Sequence, residues 1–144
     1  MWQDERSLVV LSRRECLTLL RAQRVGRVVF SERALPAVLP VSYAVLGENI
    51  VLATTSGSRL ARAALGGVLA FEVDHLDPDT RTGWSVVVTG LARHVVEPVE
   101  QSRVLSVLDS WGPGRLDLLL RLPSTVVTGR RIEAEVATAT APIG

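Results

Sequence analysis

The chain has 144 residues, of which 47% are hydrophobic and 22% charged, and its formal net charge is +1. This composition is typical of one globular domain and excludes a disordered chain. The near-neutral charge gives no support to nucleic-acid binding. All 16 basic residues are arginine, so a Schiff-base lysine and a P-loop lysine are both excluded.

Cysteine content and apolar runs indicate the compartment. The single cysteine, Cys16, excludes an internal disulfide and suits a reducing cytosol. Residues 1–6 are not followed by the apolar core of a signal peptide, and the longest apolar runs are far shorter than a membrane span. We therefore expect a cytoplasmic protein that has neither a membrane nor a nucleic acid as a partner.

Capping and hydrophobic patterns predict three helices and up to seven strands. A capping box at 12–15 predicts a first helix that ends near Arg24. Further helices are predicted at 59–65 and 98–111. Strands are predicted at residues 26–30, 37–46, 49–55, 68–74, 84–96, 116–122 and 125–136. The tight turn at 47–49 predicts a hairpin, and the last two strands are expected to pair with each other.

The order of these elements predicts the fold class. Strands cluster as hairpins and do not alternate with helices throughout, which argues against a doubly wound parallel sheet. The expected fold is mainly β (α+β), an antiparallel barrel of six to seven strands with about three peripheral helices. Residues 1–144 are expected to form a single domain, with frayed ends at 1–10 and 137–144.

The junction at 54–59 joins a predicted strand to a predicted helix and combines hydroxyl, glycine and arginine residues. Free N–H groups at a helix start, hydroxyl donors and a guanidinium all suit the oxygens of a phosphate. The alternative is an ordinary Ser/Thr N-cap beside a surface arginine. Stretches of this kind serve as N-caps more often than as phosphate sites. The candidate phosphate contacts are Thr54, Thr55, Ser56, Gly57, Ser58 and Arg59.

A reaction carried by a cofactor also needs an apolar slot and a few polar groups for the cofactor's ring. The strand at 40–43 begins with a proline, which leaves a ladder position open. Trp84 stands beside a hydroxyl, and Trp111 lies at a predicted helix end. Core packing is the alternative for both tryptophans and for Tyr43. The candidate ring neighbours are Pro40, Val41, Ser42, Tyr43, Trp84, Ser85 and Trp111.

Hydrolytic and metal chemistry find little support in the sequence. His75, His94 and Cys16 do not have the spacing of metal ligands, so no metal site is predicted. The acidic stretch at 74–79 lacks the glutamate of a calcium loop. No nucleophile motif or Ser/His/Asp arrangement is present, and no catalytic residue is predicted.

Taken together, five motifs in a fixed order resemble one family. They are Pro-Val-Ser-Tyr (40–43), Thr-Thr-Ser-Gly-Ser-Arg (54–59), Phe-Glu-Val-Asp (71–74), Gly-Trp-Ser-Val-Val-Val-Thr-Gly (83–90) and Thr-Gly-Arg-Arg-Ile (128–132). Their order and spacing resemble the pyridoxamine 5′-phosphate oxidase-like, FMN-binding split β-barrel family, and most closely its small actinobacterial members. The resemblance covers roughly residues 8–134. It implies that the barrel is a split barrel of Greek-key type.

The resemblance also implies a cofactor, a partner and an activity. Members are homodimers with two flavins at the subunit interface, and for this chain we expect an FMN-dependent oxidoreductase that acts on a small molecule. Residues 38–43 would run along the flavin ring, and residues 54–59 would hold the phosphate. Trp84, Ser85 and Val86 would reach the flavin from the partner subunit.

Two alternatives stay open at this point. One is a module that binds flavin or haem without catalysis, and the other is a deazaflavin-dependent reductase of the same fold. The larger tail of a deazaflavin would need a longer basic groove, which Arg62, Arg81 or Arg130 could line. The substrate site and C-terminal extension of the authentic oxidase are not recognisable. We therefore expect little or no oxidation of pyridoxamine 5′-phosphate itself.

Overall fold

The computed structural model describes residues 8–108 and 116–134. The strands are β1 Leu8–Val10, β2 Val25–Glu32, β3 Leu35–Ser42, β4 Ala44–Leu46, β5 Asn49–Thr54, β6 Val68–Asp77, β7 Thr82–Leu91, β8 Arg93–His94, β9 Leu118–Pro123 and β10 Val126–Ile132. The helices are α1 Arg13–Arg21, α2 Arg59–Ala63 and α3 Pro98–Val107. Within these ranges, no helix has the length and apolar character needed to cross a membrane.

The strands form two antiparallel sheets. The larger sheet has the order β1-β10-β7-β6-β2-β3, and the smaller has the order β4-β5-β9-β8. The chain passes between them at Tyr43, which separates β3 from β4. The predicted α+β fold class, an antiparallel split barrel with three helices, is confirmed. The predicted hairpin around 47–49 is confirmed as the β4–β5 pair.

The predicted pairing of the last two strands is wrong. β9 pairs with β5 and β8, whereas β10 pairs with β1 and β7 in the other sheet. The predicted strands at 37–46 and 84–96 also divide, into β3 and β4 and into β7 and β8. At each of these points the chain changes sheet without a break in its apolar pattern, so the pattern alone cannot locate the crossing.

Several predicted boundaries differ from the structure, and α2, expected at 59–65, ends at Ala63. Residues 8–10 were expected at a frayed end, but they form β1 because their backbone pairs with β10. α1 ends at Arg21, and α3 ends at Val107. Residues 1–7, 109–115 and 135–144 lie outside the described residues.

The main core lies between the inner face of the larger sheet, α1 and the smaller sheet. Phe71 is fully buried at its centre, and the Tyr43 ring meets it edge-on with centroids 4.7 Å apart. The Tyr43 hydroxyl donates to the Leu20 carbonyl at 2.5 Å, which ties the sheet crossing to α1. A second, smaller cluster joins α3 to the smaller sheet through Val51, Val95, Val104 and Leu119.

Candidate functional site

The predicted phosphate stretch forms the turn between β5 and α2. The Ser58 hydroxyl caps α2 by accepting from the Ala61 N–H at 3.0 Å, and it also lies 3.0 Å from the Thr54 hydroxyl. Gly57 has a φ of +83°, a left-handed conformation that glycine adopts without strain. The N-cap expected as the common use of this stretch is therefore present at Ser58, and the capping hydroxyl is already engaged.

A carboxylate lies against this turn. Asp117, just before β9, accepts from the Ser56 backbone N–H at 2.8 Å through Oδ1 and from the Ser56 hydroxyl at 3.0 Å through Oδ2. The backbone N–H and the hydroxyl of Ser56 are therefore spaced so that they can bind two oxygens of the same carboxylate. The donor set of the turn consequently fits two oxygens of an anion such as a phosphate.

Two arginines of α2 meet a glutamate from β2. Glu32 accepts from Arg59 Nε at 3.0 Å and from Arg62 Nε at 2.6 Å. The Arg62 hydrogen bond is the largest of the effects that lower the pKa of Glu32. Arg59 also lies over the Phe30 ring, 6.0 Å from its centroid, at cation–π distance.

Sequence reasoning named Arg59 but missed Glu32. The arginines at positions 59 and 62 share one face of α2, because residues three apart on a helix are neighbours. The glutamate comes from a strand nearly thirty residues earlier, and only the docking of α2 on β2 brings it there. No local signal in the sequence could have paired it with these arginines.

The predicted ring segment lies on β3, at the edge of the larger sheet. β3 starts beside Glu32, because Leu35 is its partner in register, and ends at Ser42 opposite Val25. Val38 is 56% exposed and Leu35 is 65% exposed. β3 is therefore an edge strand about 23 Å long that begins beside Glu32 and has exposed apolar side chains on both of its faces.

At its far end β3 opens onto a cavity. The cavity has a volume of about 460 Å³, and its walls include Arg21, Arg24, Ser42, Tyr43 and Ala44. The Tyr43 side chain is buried in the core, and its N–H donates to the Arg24 carbonyl at 3.0 Å. Tyr43 thus keeps the core role that was considered for it, and its N–H is already engaged.

The predicted residues on β7 do not meet this site within one chain. Trp84 packs against the core, Val86 is fully buried, and Ser85 lies on the opposite, outer face of the sheet. They pair with the end of β6 that is remote from the arginine cluster. Trp111 lies outside the described residues.

The basic groove proposed for a deazaflavin tail is not assembled in one chain. Arg62 lies beside Glu32, at the end of β2. Arg81 lies in the turn after β6, and Arg130 pairs with Ser85 near the same end of the sheet. The length of β6 separates this end from Arg62, roughly 30 Å. Within the described ranges, no group of three or more possible metal ligands occurs.

The outer face of the larger sheet carries a charge cluster. Arg27 lies 3.4 Å from Glu72 and 3.2 Å from Asp74. Burial, followed by a hydrogen bond to Asp74, raises the pKa of Glu72 from 4.5 to about 7. A carboxyl that gains a proton near neutral pH thus lies among apolar strands.

This architecture, with two antiparallel sheets that exchange strands at bends, defines the chain as a split β-barrel protein. A family model described as pyridoxamine 5′-phosphate oxidase matches residues 12–138. The chain belongs to this family. The resemblance of its five motifs to that family is thereby confirmed.

Individual relatives are similar over nearly the whole chain. An uncharacterized protein of Mycobacterium tuberculosis, Rv0080, is 40% identical over 141 residues, covering 94% of this chain and 93% of its own. A solved FAD-binding protein of Mycobacterium smegmatis is 29% identical, with a TM-score of 0.75, covering 87% of this chain and 100% of its own. A FAD-binding protein of Mesorhizobium loti is 27% identical, with a TM-score of 0.73, covering 86% and 97%.

Proposed function

We propose that this protein binds FMN and acts as an FMN-dependent oxidoreductase on a small-molecule substrate. The observation that carries the proposal is the turn at Ser56, whose N–H and hydroxyl hold two carboxylate oxygens beside Arg59. The FAD-binding relatives in M. smegmatis and M. loti support a flavin over other anionic cofactors.

The phosphate would be held by the β5–α2 turn. Ser56 would exchange Asp117 for phosphate oxygens, and Arg59 would donate from its outer guanidinium nitrogens. Thr54, Thr55, Gly57 and Ser58 would shape the turn, with the Ser58 hydroxyl kept as the helix cap. Arginine serves here as well as lysine would, because it keeps the charge and adds a fork of donors.

The ring would lie along β3. Pro36 and Pro40 lack N–H groups, and the most exposed large side chains of this edge strand are apolar. Backbone groups of Val41 and Ser42 would bond the polar edge of the ring, close to the cavity at the β3–β4 bend. When bound, a flavin supplies the electron transfer itself, so this chain's residues need only bind, orient and shield it.

The site requires a second copy of the chain. Trp84, Ser85 and Val86 lie too far from Arg59 to share a ligand with it within one protomer. In a homodimer, the outer face that bears Ser85 would close the flavin site of the partner subunit. We also propose a cytoplasmic location, since a sequence with a single cysteine suits a reducing compartment.

FAD is the second candidate cofactor, because the two relatives named above are FAD-binding proteins. FAD contains the same ribityl phosphate as FMN, so the turn at 54–59 would hold it in the same way. Deazaflavin is a weaker candidate, since Arg62 and Arg130 lie at opposite ends of the sheet.

Titration of the flavin-free protein with riboflavin, FMN and FAD tests the cofactor. We expect FMN to bind much more tightly than riboflavin, because the phosphate contacts supply affinity. A hydrogen bond to a charged group contributes roughly 1.5–3 kcal/mol, so Arg59→Ala should weaken FMN binding about tenfold to a hundredfold. Arg14→Ala, on the exposed side of α1, is the matched control.

Two outcomes would contradict the assignment. Equal affinity of the wild type for FMN and riboflavin would show that the protein has no binding site for the FMN phosphate. If Arg59→Ala binds FMN as tightly as the wild type, Arg59 does not contact the phosphate.

Anaerobic reduction separates an enzyme from a binding module. A protein loaded with FMN should be reduced by NADH or NADPH and then reoxidised by an electron acceptor over many cycles. Binding without reduction by either nucleotide would favour a non-catalytic flavin module.

A further inference from the structure

Glu32 is fixed between the larger sheet and α2. Its side chain is only 17% exposed, whereas those of Arg59 and Arg62 are 54% and 53% exposed. The carboxylate is therefore the fixed point of the cluster, and the two guanidinium groups extend from it towards solvent.

Each arginine is held through its inner nitrogen. Glu32 accepts from Nε of both, and Arg62 also donates from Nη1 to the Gly57 carbonyl at 2.8 Å. In the part of the chain that the structure describes, the Nη atoms of Arg59 and Nη2 of Arg62 make no hydrogen bond. These outer nitrogens can donate to a ligand without breaking a bond to Glu32.

We propose that Glu32 is a positioning residue that holds Arg59 and Arg62 together as a paired receptor for a phosphate group. This inference rests on the function proposed above and adds Arg62 to its phosphate contacts. One carboxylate between two guanidinium groups leaves these three side chains with a net charge of +1, and the Asp117 carboxylate would leave Ser56 when a phosphate enters. A phosphate has enough oxygens to accept from both arginines and from Ser56 at once.

The opposite role for Glu32 would be that of a competitor which the ligand displaces. Two observations argue against it. A ligand approaching from solvent meets the free Nη atoms first and need not break the Nε bonds. A displaced Glu32 would also leave a largely buried carboxylate without its partners, which is costly.

The substitution Glu32→Gln separates the two roles by the sign of its effect. Loss of a negative charge by itself would strengthen the binding of an anion. Glutamine cannot give each arginine its own acceptor oxygen, as Glu32 does, because one of its two terminal atoms is an NH₂ donor. If Glu32 positions the two arginines, the Glu32→Gln variant should bind FMN about tenfold more weakly than the wild type. Its binding of riboflavin should be unchanged. Equal or tighter FMN binding in Glu32→Gln would overturn the inference.

Glu100→Gln is the matched control. Glu100 bonds Arg121 at 2.7 Å and is 27% exposed, so the change removes an arginine–carboxylate pair of similar burial elsewhere. FMN binding should not change in this variant. Arg62→Ala leaves the bond between Glu32 and Arg59 intact and should weaken FMN binding about tenfold, again without an effect on riboflavin.

An NMR measurement without flavin distinguishes failure of the inference from failure of the proposed function. The Nε–H resonances of Arg59 and Arg62 should shift in Glu32→Gln and stay in place in Glu100→Gln. Unchanged resonances in Glu32→Gln would overturn the positioning role whatever the flavin does. The other outcome is that the resonances shift in Glu32→Gln but the wild type binds FMN and riboflavin equally well. That result would overturn the proposed phosphate site, and the paired phosphate receptor with it.

Discussion

Single arginines serve two different purposes in this chain. The guanidinium of Arg13 donates hydrogen bonds within the protein, to Ser124 and to Glu48. Arg59 uses one nitrogen for Glu32 and keeps its outer pair towards solvent. The residue type alone cannot distinguish the two cases, because arginine is the only basic side chain in the sequence other than histidine. The pattern of bonded and unbonded nitrogens makes the distinction.

Glu72 is the residue from which a pH effect on stability is expected. Its pKa rises from 4.5 to about 7 on folding, chiefly through burial. The folded state therefore holds the Glu72 proton more tightly than the unfolded state does. Stability should fall as the pH rises from about 4.5 to about 7 and should then level off.

Urea unfolding at pH 5 and pH 8 measures this effect. The wild type should lose more stability between the two pH values than Glu72→Gln, which cannot titrate. All other ionisable groups are common to the two proteins, so their effects cancel in the comparison. An equal loss in wild type and variant would show that Glu72 does not have a raised pKa.

At the scale of elements, the start of α1 is fastened to two distant turns. Arg13 donates to the Ser124 carbonyl at 2.5 Å and to Glu48 at 2.6 Å, and the Ser124 hydroxyl donates to the Glu48 carbonyl. Ser124 is almost fully buried where the chain leaves β9 for β10. The fastening therefore fixes the crossing between the two sheets.

Loss of Arg13 should destabilise the fold. Arg13→Ala would leave the buried Ser124 carbonyl without this donor, at a cost of about 1–2 kcal/mol in the free energy of unfolding. Arg14→Ala, one residue along on the exposed side of α1, should cost less than about 0.5 kcal/mol. Urea unfolding of both variants makes the comparison. Equal stabilities would mean that the Arg13 bonds contribute nothing.

Elements with a local signal could be predicted from the sequence, and elements defined by distant contacts could not. The capping box at Ser12 gave the start of α1, and the turn at Gly47 gave the β4–β5 hairpin. The crossing at Tyr43 had no such signal, because the residues on both sides continue the same strand pattern. The partners of β9 and β10 depend on the closure of the whole barrel.

In the candidate site, too, residues with a local sequence signal could be predicted and residues brought in by distant contacts could not. The residues of the 54–59 turn were found because hydroxyls, glycine and arginine were contiguous in sequence. Glu32 and Asp117 were missed because each reaches the turn from a different strand or strand end. These two carboxylates nevertheless determine which donors of the turn are already engaged.

At the scale of the whole molecule, the outer face of the larger sheet carries an apolar row. Val38, Val29, Ala70, Thr89 and Val126 are successive partners in register across β3, β2, β6, β7 and β10. Val38 and Val126 are more than half exposed. This row runs from the proposed flavin strand β3 across the sheet to β10, and we expect it to form the centre of a two-fold contact.

A homodimer that buries well over ~1,000 Å² in total is therefore expected in solution. Val126→Glu would place a charge in the apolar row, outside the proposed flavin strand, and should give a monomer in light scattering at micromolar concentration. Leu105→Glu, at an equally exposed apolar position on α3, should leave the dimer intact. Because the flavin site needs both subunits, the monomeric variant should also lose most of its FMN affinity. A monomeric wild type would contradict the dimer and the shared flavin site together.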